Sequence, residues 1–227
     1  MKYIFCMIVC LALTPIGQAR ADILYDNGLG AANVNVLYAS DYDLASNGTQ
    51  SFLADDFSLP NNSILTGVSW TGGYGISSNT PTAFDSFEIA FYNDSGGIPD
   101  DLPFLSFNVD SNRVDTGLTL DLGTGINYSL YQYNADFAFP VIWNDPGTFW
   151  VSIRNRTFGE TNAWGWGSSD LGGFATFQLD GGPWQTFAFE TDFQLLGTAA
   201  IPEPSSAICL GMLAMGAAGI RRRRAAA

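Results

Sequence analysis

The chain contains no histidine, and its cysteines (Cys6, Cys10, Cys209) and its one lysine (Lys2) lie near its two ends. The stretch from Asp22 to Ala200 therefore has none of the three. Without them it cannot build a Ser-His-Asp or Cys-His triad, a Schiff-base lysine or a His/Cys zinc site. It also has no disulfide framework to staple a small core. Cations are equally scarce. Only Arg113, Arg154 and Arg156 stand against every carboxylate of the chain save Glu203, which leaves this stretch at about −18. Such a surface repels nucleic acid and anionic lipid. No glycine-rich loop opens a helix to hold phosphate, good helix formers are few, and no amphipathic helix is evident. No repeat of fixed period is present either, which argues against a propeller or a β-helix.

What is there points to strands. Aromatic residues make up 14% of the chain and there are 25 glycines, a mixture that a disordered linker would lack and a turn-rich β domain needs. About 180 residues suffice for one domain with its own core. Ile64, Thr66, Val68 and Trp70 alternate with Leu65, Gly67 and Ser69, and Phe87, Ile89 and Phe91 alternate with Glu88, Ala90 and Tyr92. Phe137, Phe139 and Val141, then Phe149, Val151 and Ile153, repeat the pattern. Period two is the mark of a strand with one buried face. The clusters 59–62, 93–97, 144–147 and 180–183, rich in Gly, Pro, Asn and Asp, are turns. Ten to twelve strands at this spacing predict an all-β domain over residues 22–198, an antiparallel β-sandwich of jelly-roll type.

Segments of another kind flank that domain. Residues 1–21 read as a secretory signal peptide, with Lys2 before an apolar run from Ile4 to Leu13 and a small-x-small cleavage site ending at Ala21. Residues 199–227 hold Pro202-Glu203-Pro204, then an apolar stretch over 205–220, then Arg221, Arg222, Arg223 and Arg224. Proline stops the preceding strand. The apolar stretch predicts a single transmembrane helix, short of the ~20 residues of a comfortable span, with its arginines kept on the cytoplasmic side. This order resembles the PEP-CTERM sorting signal of exopolysaccharide-producing Gram-negative bacteria. The resemblance implies an exosortase that recognises Pro202-Glu203-Pro204 and removes the tail, after signal peptidase has acted at Ala21. It also implies transient attachment to the inner membrane and a final place at the cell surface or outside the cell. The middle of the chain is similar to ectodomains found before such tails, through Ala54-Asp55-Asp56-Phe57, Phe91-Tyr92-Asn93-Asp94, Trp164-Gly165-Trp166 and Asp192-Phe193-Gln194-Leu195. That likeness implies a β-sandwich of unassigned activity and brings no catalytic residues.

Three constellations could carry chemistry. A carboxylate pair drawn from Asp55, Asp56, Glu88, Glu160 and Glu190 could serve a glycoside hydrolase acting on extracellular polysaccharide. The expectation is nevertheless a non-catalytic protein, because so many acids bring two together by chance. Calcium is the second possibility, with Asp94, Asp100 and Asp101 bracketing a Gly-Gly turn as its oxygen ligands, against the alternative that Asp and Asn merely stabilise the turn. The third is a glycan platform. Trp164 and Trp166 project to one side of an extended segment, and Trp184 and Tyr74 sit beside glycines that leave the backbone bare. Their alternative is burial in the core. Arg154 and Arg156 share a strand face and are expected to neutralise neighbouring carboxylates.

Overall fold

The structure is a computed structural model describing residues 21–44, 49–75, 81, 85–121, 123, 127–156 and 163–199. The expected signal peptide up to Arg20, the segment from residue 200 onward and Glu160 lie outside the described residues. Ala21 is exposed just before the first strand. Among the described residues the chain is all-β, with one 3-10 turn at Ala31–Asn33 and no helix long and apolar enough to cross a membrane.

Fifteen strands are described. They begin with β1 (Asp22–Asp26), β2 (Leu37–Ala39), β3 (Asp41–Leu44), β4 (Thr49–Ser58) and β5 (Ser63–Tyr74). Next come β6 (Phe87–Asn93), β7 (Leu105–Val109), β8 (Asn112–Asp121), β9 (Asn127–Trp143) and β10 (Thr148–Asn155). The last are β11 (Trp164–Ser169), β12 (Ala175–Leu179), β13 (Gln185–Phe187), β14 (Glu190–Thr191) and β15 (Phe193–Thr198). In the first sheet β8 pairs with β9 and β9 with β5, whose other edge is shared by β15 and β11. β15 then takes β1, and β11 takes β2 and β14. The second sheet runs β7-β6-β10-β4-β12-β13, with β3 wedged between β4 and β10. All pairing is antiparallel except the single bridge of β3 to β10 at Asp41 and Asn155.

The two sheets face each other across one core. β5 contributes Leu65, Val68 and Trp70, β6 Phe87, Ile89 and Phe91, β10 Val151 and Ile153, and β15 Phe193 and Leu195. Aromatic rings lock its centre. Trp70 stacks on Tyr133 at 5.4 Å, and Phe87 stands edge-on to Trp70, Tyr133 and Trp164 at about 5 Å. Each such pair adds roughly 0.5–1.5 kcal/mol beyond the area it buries. A smaller cluster, with Phe52, Tyr92, Trp150 and Trp184, covers the outer face of the second sheet.

Simple alternation fails at one place. It sets Ile64 and Thr66 on the same face as Val68 and Trp70, whereas Leu65 is buried and Ile64 and Thr66 are only half-buried. The pairing of β5 with β9 shifts between Leu65 and Gly67, where the partner skips from Val141 to Asp136. A bulge of this kind reverses the phase of the side chains. The same irregularity turns Phe139 outward, 75% exposed, although Phe137 two residues earlier is buried.

Candidate functional site

The tryptophans belong to the interior. Trp164, Trp166 and Tyr74 have no exposed surface, and Trp184 keeps 8%. Their expected role as an accessible glycan platform is corrected. The glycines beside them make room for rings to pack inward. A Cβ on Gly72 would stand 2.4 Å from the Trp164 ring. Trp166 Nε1 donates to the Asp192 carbonyl at 2.9 Å. The Tyr74 hydroxyl donates to Asp85 and accepts from Asn155 Nδ2 at 2.7 Å. Trp184 lies edge-on against Tyr92 at 5.7 Å.

The acidic loop after β6 is held by its own carboxylates. Asp94 Oδ1 accepts from Trp150 Nε1 at 2.9 Å and from the Gly97 amide at 3.1 Å. Asp100 Oδ2 accepts from Asn93 Nδ2 at 3.3 Å, and its amide donates to the Asn93 carbonyl at 3.0 Å. Gly96 and Gly97 take the left-handed φ values of 75° and 90° that close the turn. Asp101 is exposed. The structure thus gives Asp94 and Asp100 turn-forming bonds, and among the described residues the three carboxylates of Asp94, Asp100 and Asp101 do not converge as a group.

Three other acids converge. Alternation along β4 sends Leu53, Asp55 and Phe57 inward, so Asp55 is a carboxyl on an apolar face, with no exposed surface. Its Oδ2 accepts from the Thr191 amide at 2.5 Å, Thr191 Oγ1 at 2.8 Å and Asn27 Nδ2 at 3.1 Å, while Oδ1 accepts from the Asp56 amide at 2.8 Å. Asn27 Nδ2 also lies 2.7 Å from Glu190 Oε2, and Glu190 Oε1 accepts from the Phe174 amide at 3.1 Å. Asp55, Asp56 and Glu190 each place an oxygen within 4.8 Å of the others.

Burial first, and then the charge of Glu190, push the Asp55 carboxyl well above the ordinary range. The Asp55 and Glu190 carboxyls are thus near neighbours, joined through the Asn27 amide, which donates to both. Four donors already occupy the acceptor sites of Asp55, which leaves it little to offer a cation. Asp55 has no exposed surface and Glu190 keeps 8%, so neither carboxyl lies open to solvent. Beside it, Asp192 takes the Gly30 amide at 2.9 Å on one oxygen and the Thr71 amide at 3.1 Å on the other. Burial raises Asp192 to about 7 despite those two bonds, with Asp26 adding to the rise. Together these acids fasten the loop after β1 to β4, β5 and β14. Sequence reasoning places Asp55 and Glu190 among many acids without singling them out. The usable signal is an acid at an inward position between Leu53 and Phe57.

The scarce arginines are committed. Arg154 donates to Glu88 Oε1 at 2.5 Å and lies over the rings of Phe52 at 4.0 Å and Tyr42 at 4.3 Å. Arg113 pairs with Asp85 at 2.9 Å, and Arg156 donates to Asn108 Oδ1 at 2.8 Å.

Residues 200–225 match the family model of the PEP-CTERM protein-sorting motif, so the chain carries the signal of an exosortase substrate. The match takes in Pro202-Glu203-Pro204, the apolar stretch and Arg221 to Arg224 together. No curated protein and no solved structure gives a match.

Proposed function

We propose that this is a non-catalytic protein of the cell surface or extracellular matrix, whose acidic β domain works among, and binds, extracellular polysaccharide. The observation that carries the reading is the sorting motif at residues 200–225, which implies export, membrane anchoring before processing, and exosortase as the processing partner. The body supports the rest. It has no histidine, cysteine or lysine for a His-based triad, a Schiff base or a His/Cys zinc site, and the two carboxyls that approach one another are buried in a hydrogen-bonded network. We read the sheets, β8/β9-β5-β15-β1 against β7-β6-β10-β4, as a jelly roll.

Replacing Pro202, Glu203 and Pro204 together by alanine in the producing bacterium, followed by cell fractionation, tests the sorting step. The variant is expected to stay in the membrane fraction at full length while the parent protein is shorter and outside it. Equal size and distribution of the two would overturn the reading.

A further inference from the structure

At one end of the sheets, the connection from β6 to β7 and the turn from β9 to β10 enclose an open cavity of about 300 Å³. Its walls are apolar. Trp143 and Phe149 meet edge-on at 4.6 Å, and Phe104 packs 5.5 Å from Trp143. Phe104 is nevertheless 47% exposed and Ile142 66%. A contiguous apolar patch rimmed by polar residues is one mark of a ligand-binding groove. The Phe104 amide donates to the Phe91 carbonyl at 3.0 Å, so the ring is tied to the second sheet and does not ride on a free loop. The rim is polar, with Asn93, Asn144 and Asp145 exposed.

We infer that this cavity binds a neutral sugar, one face of a pyranose ring lying on Phe104 and Ile142 and its hydroxyls meeting Asn93, Asn144 and Asp145. The inference rests on the polysaccharide reading above and supplies its site. A few placed polar groups around apolar walls are the usual make-up of a small-molecule site. The ligand must offer an apolar face and a hydroxylated edge together, as pyranoses do. Charge selects among them. Asp145 lines the cavity, and Asp94 and Asp100 stand on the connection that forms one wall, while Arg113, Arg154 and Arg156 are all engaged elsewhere. Uronates and phosphorylated glycans would meet repulsion with no cation among the described residues lining the cavity to offset it.

The test is affinity electrophoresis of the purified full-length protein in gels containing neutral glucans, galactans or mannans, with a polyuronate as control. Retardation is expected in at least one neutral gel and not in the polyuronate. Phe104→Ala and Ile142→Ser should each weaken that binding about tenfold or more while the domain still unfolds in one cooperative transition, Phe104→Ala at a somewhat lower temperature because its ring contacts with Trp143 and Phe149 are lost. Retardation that both variants retain would overturn this site and leave the polysaccharide reading standing. Retardation by no neutral glycan would overturn both. Retardation by the polyuronate alone would overturn the choice of a neutral ligand. A parent protein that is dimeric in light scattering and made monomeric by Phe104→Ala would assign the surface to self-association instead.

Discussion

Asp55 shows how one residue can be settled by its surroundings. An ionised carboxylate with no exposed surface costs several kcal/mol unless it is paired or neutralised, and no arginine approaches it. Donors from Thr191, Asn27 and Asp56 offset part of that cost, while burial and the neighbouring Glu190 hold its carboxyl well above the ordinary range. Asp55 and Asp192 both bind protons more tightly in the fold than in the unfolded chain, where carboxyls titrate near 4. Their stabilising contribution is therefore complete below the unfolded value and is lost as pH rises through the folded one, about 7 for Asp192. Melting temperatures at fixed ionic strength should fall between about pH 5 and about pH 8. Asp55→Asn, whose amide can donate to Glu190 while its oxygen accepts from Thr191, should change stability at acidic pH by about 1 kcal/mol or less and flatten the fall. A profile that rises over that window, or is unmoved by the substitution, contradicts the raised Asp55 carboxyl.

Among the elements, β5 and β11 depend on missing side chains. Gly72 pairs with Trp166 in register, and a Cβ there would sit 2.4 Å from the Trp164 ring and 2.6 Å from the Gly165 carbonyl oxygen. Gly72→Ala should lower stability by about 1–3 kcal/mol in urea unfolding. An unchanged midpoint and slope would mean that the ring is not packed there. These strands also mark where the sequence stops being legible. The strands around Val68, Ile89 and Val151 are legible from alternation, and the turns after Leu59, Asn93, Trp143 and Leu179 from their Gly, Pro, Asn and Asp. Two of those turns use Asn62 at φ 58° and Asp180 at φ 48°, residue types that tolerate the left-handed region. The bulge in β5 is not legible, because a period of two carries no mark of where its phase changes. The Trp-Gly alternation is legible as a strand, but whether its rings point in or out depends on which sheet lies opposite. Asp55 is visible as an inward acid, yet its partners Asn27 and Thr191 come from strand ends that no local pattern links to it.

For the whole molecule, net charge outweighs any single pair, at about −18 over the stretch from Asp22 to Ala200. Divalent cations should raise the melting temperature by general screening, calcium no more than magnesium at equal ionic strength, because the carboxylates of Asp94 and Asp100 accept turn bonds and those of Asp55 are filled. A rise specific to calcium would reinstate the loop of Asp94, Asp100 and Asp101 as a metal site.

Export of the domain, followed by its release from the anchor, underlies every role proposed for it. Intact mass spectrometry of the protein recovered outside the producing cells decides the point. The expected species starts at Asp22 and lacks the apolar stretch 205–220 and the arginines 221–224. Recovery with residues 205–224 still attached, or only inside the cell, would contradict it.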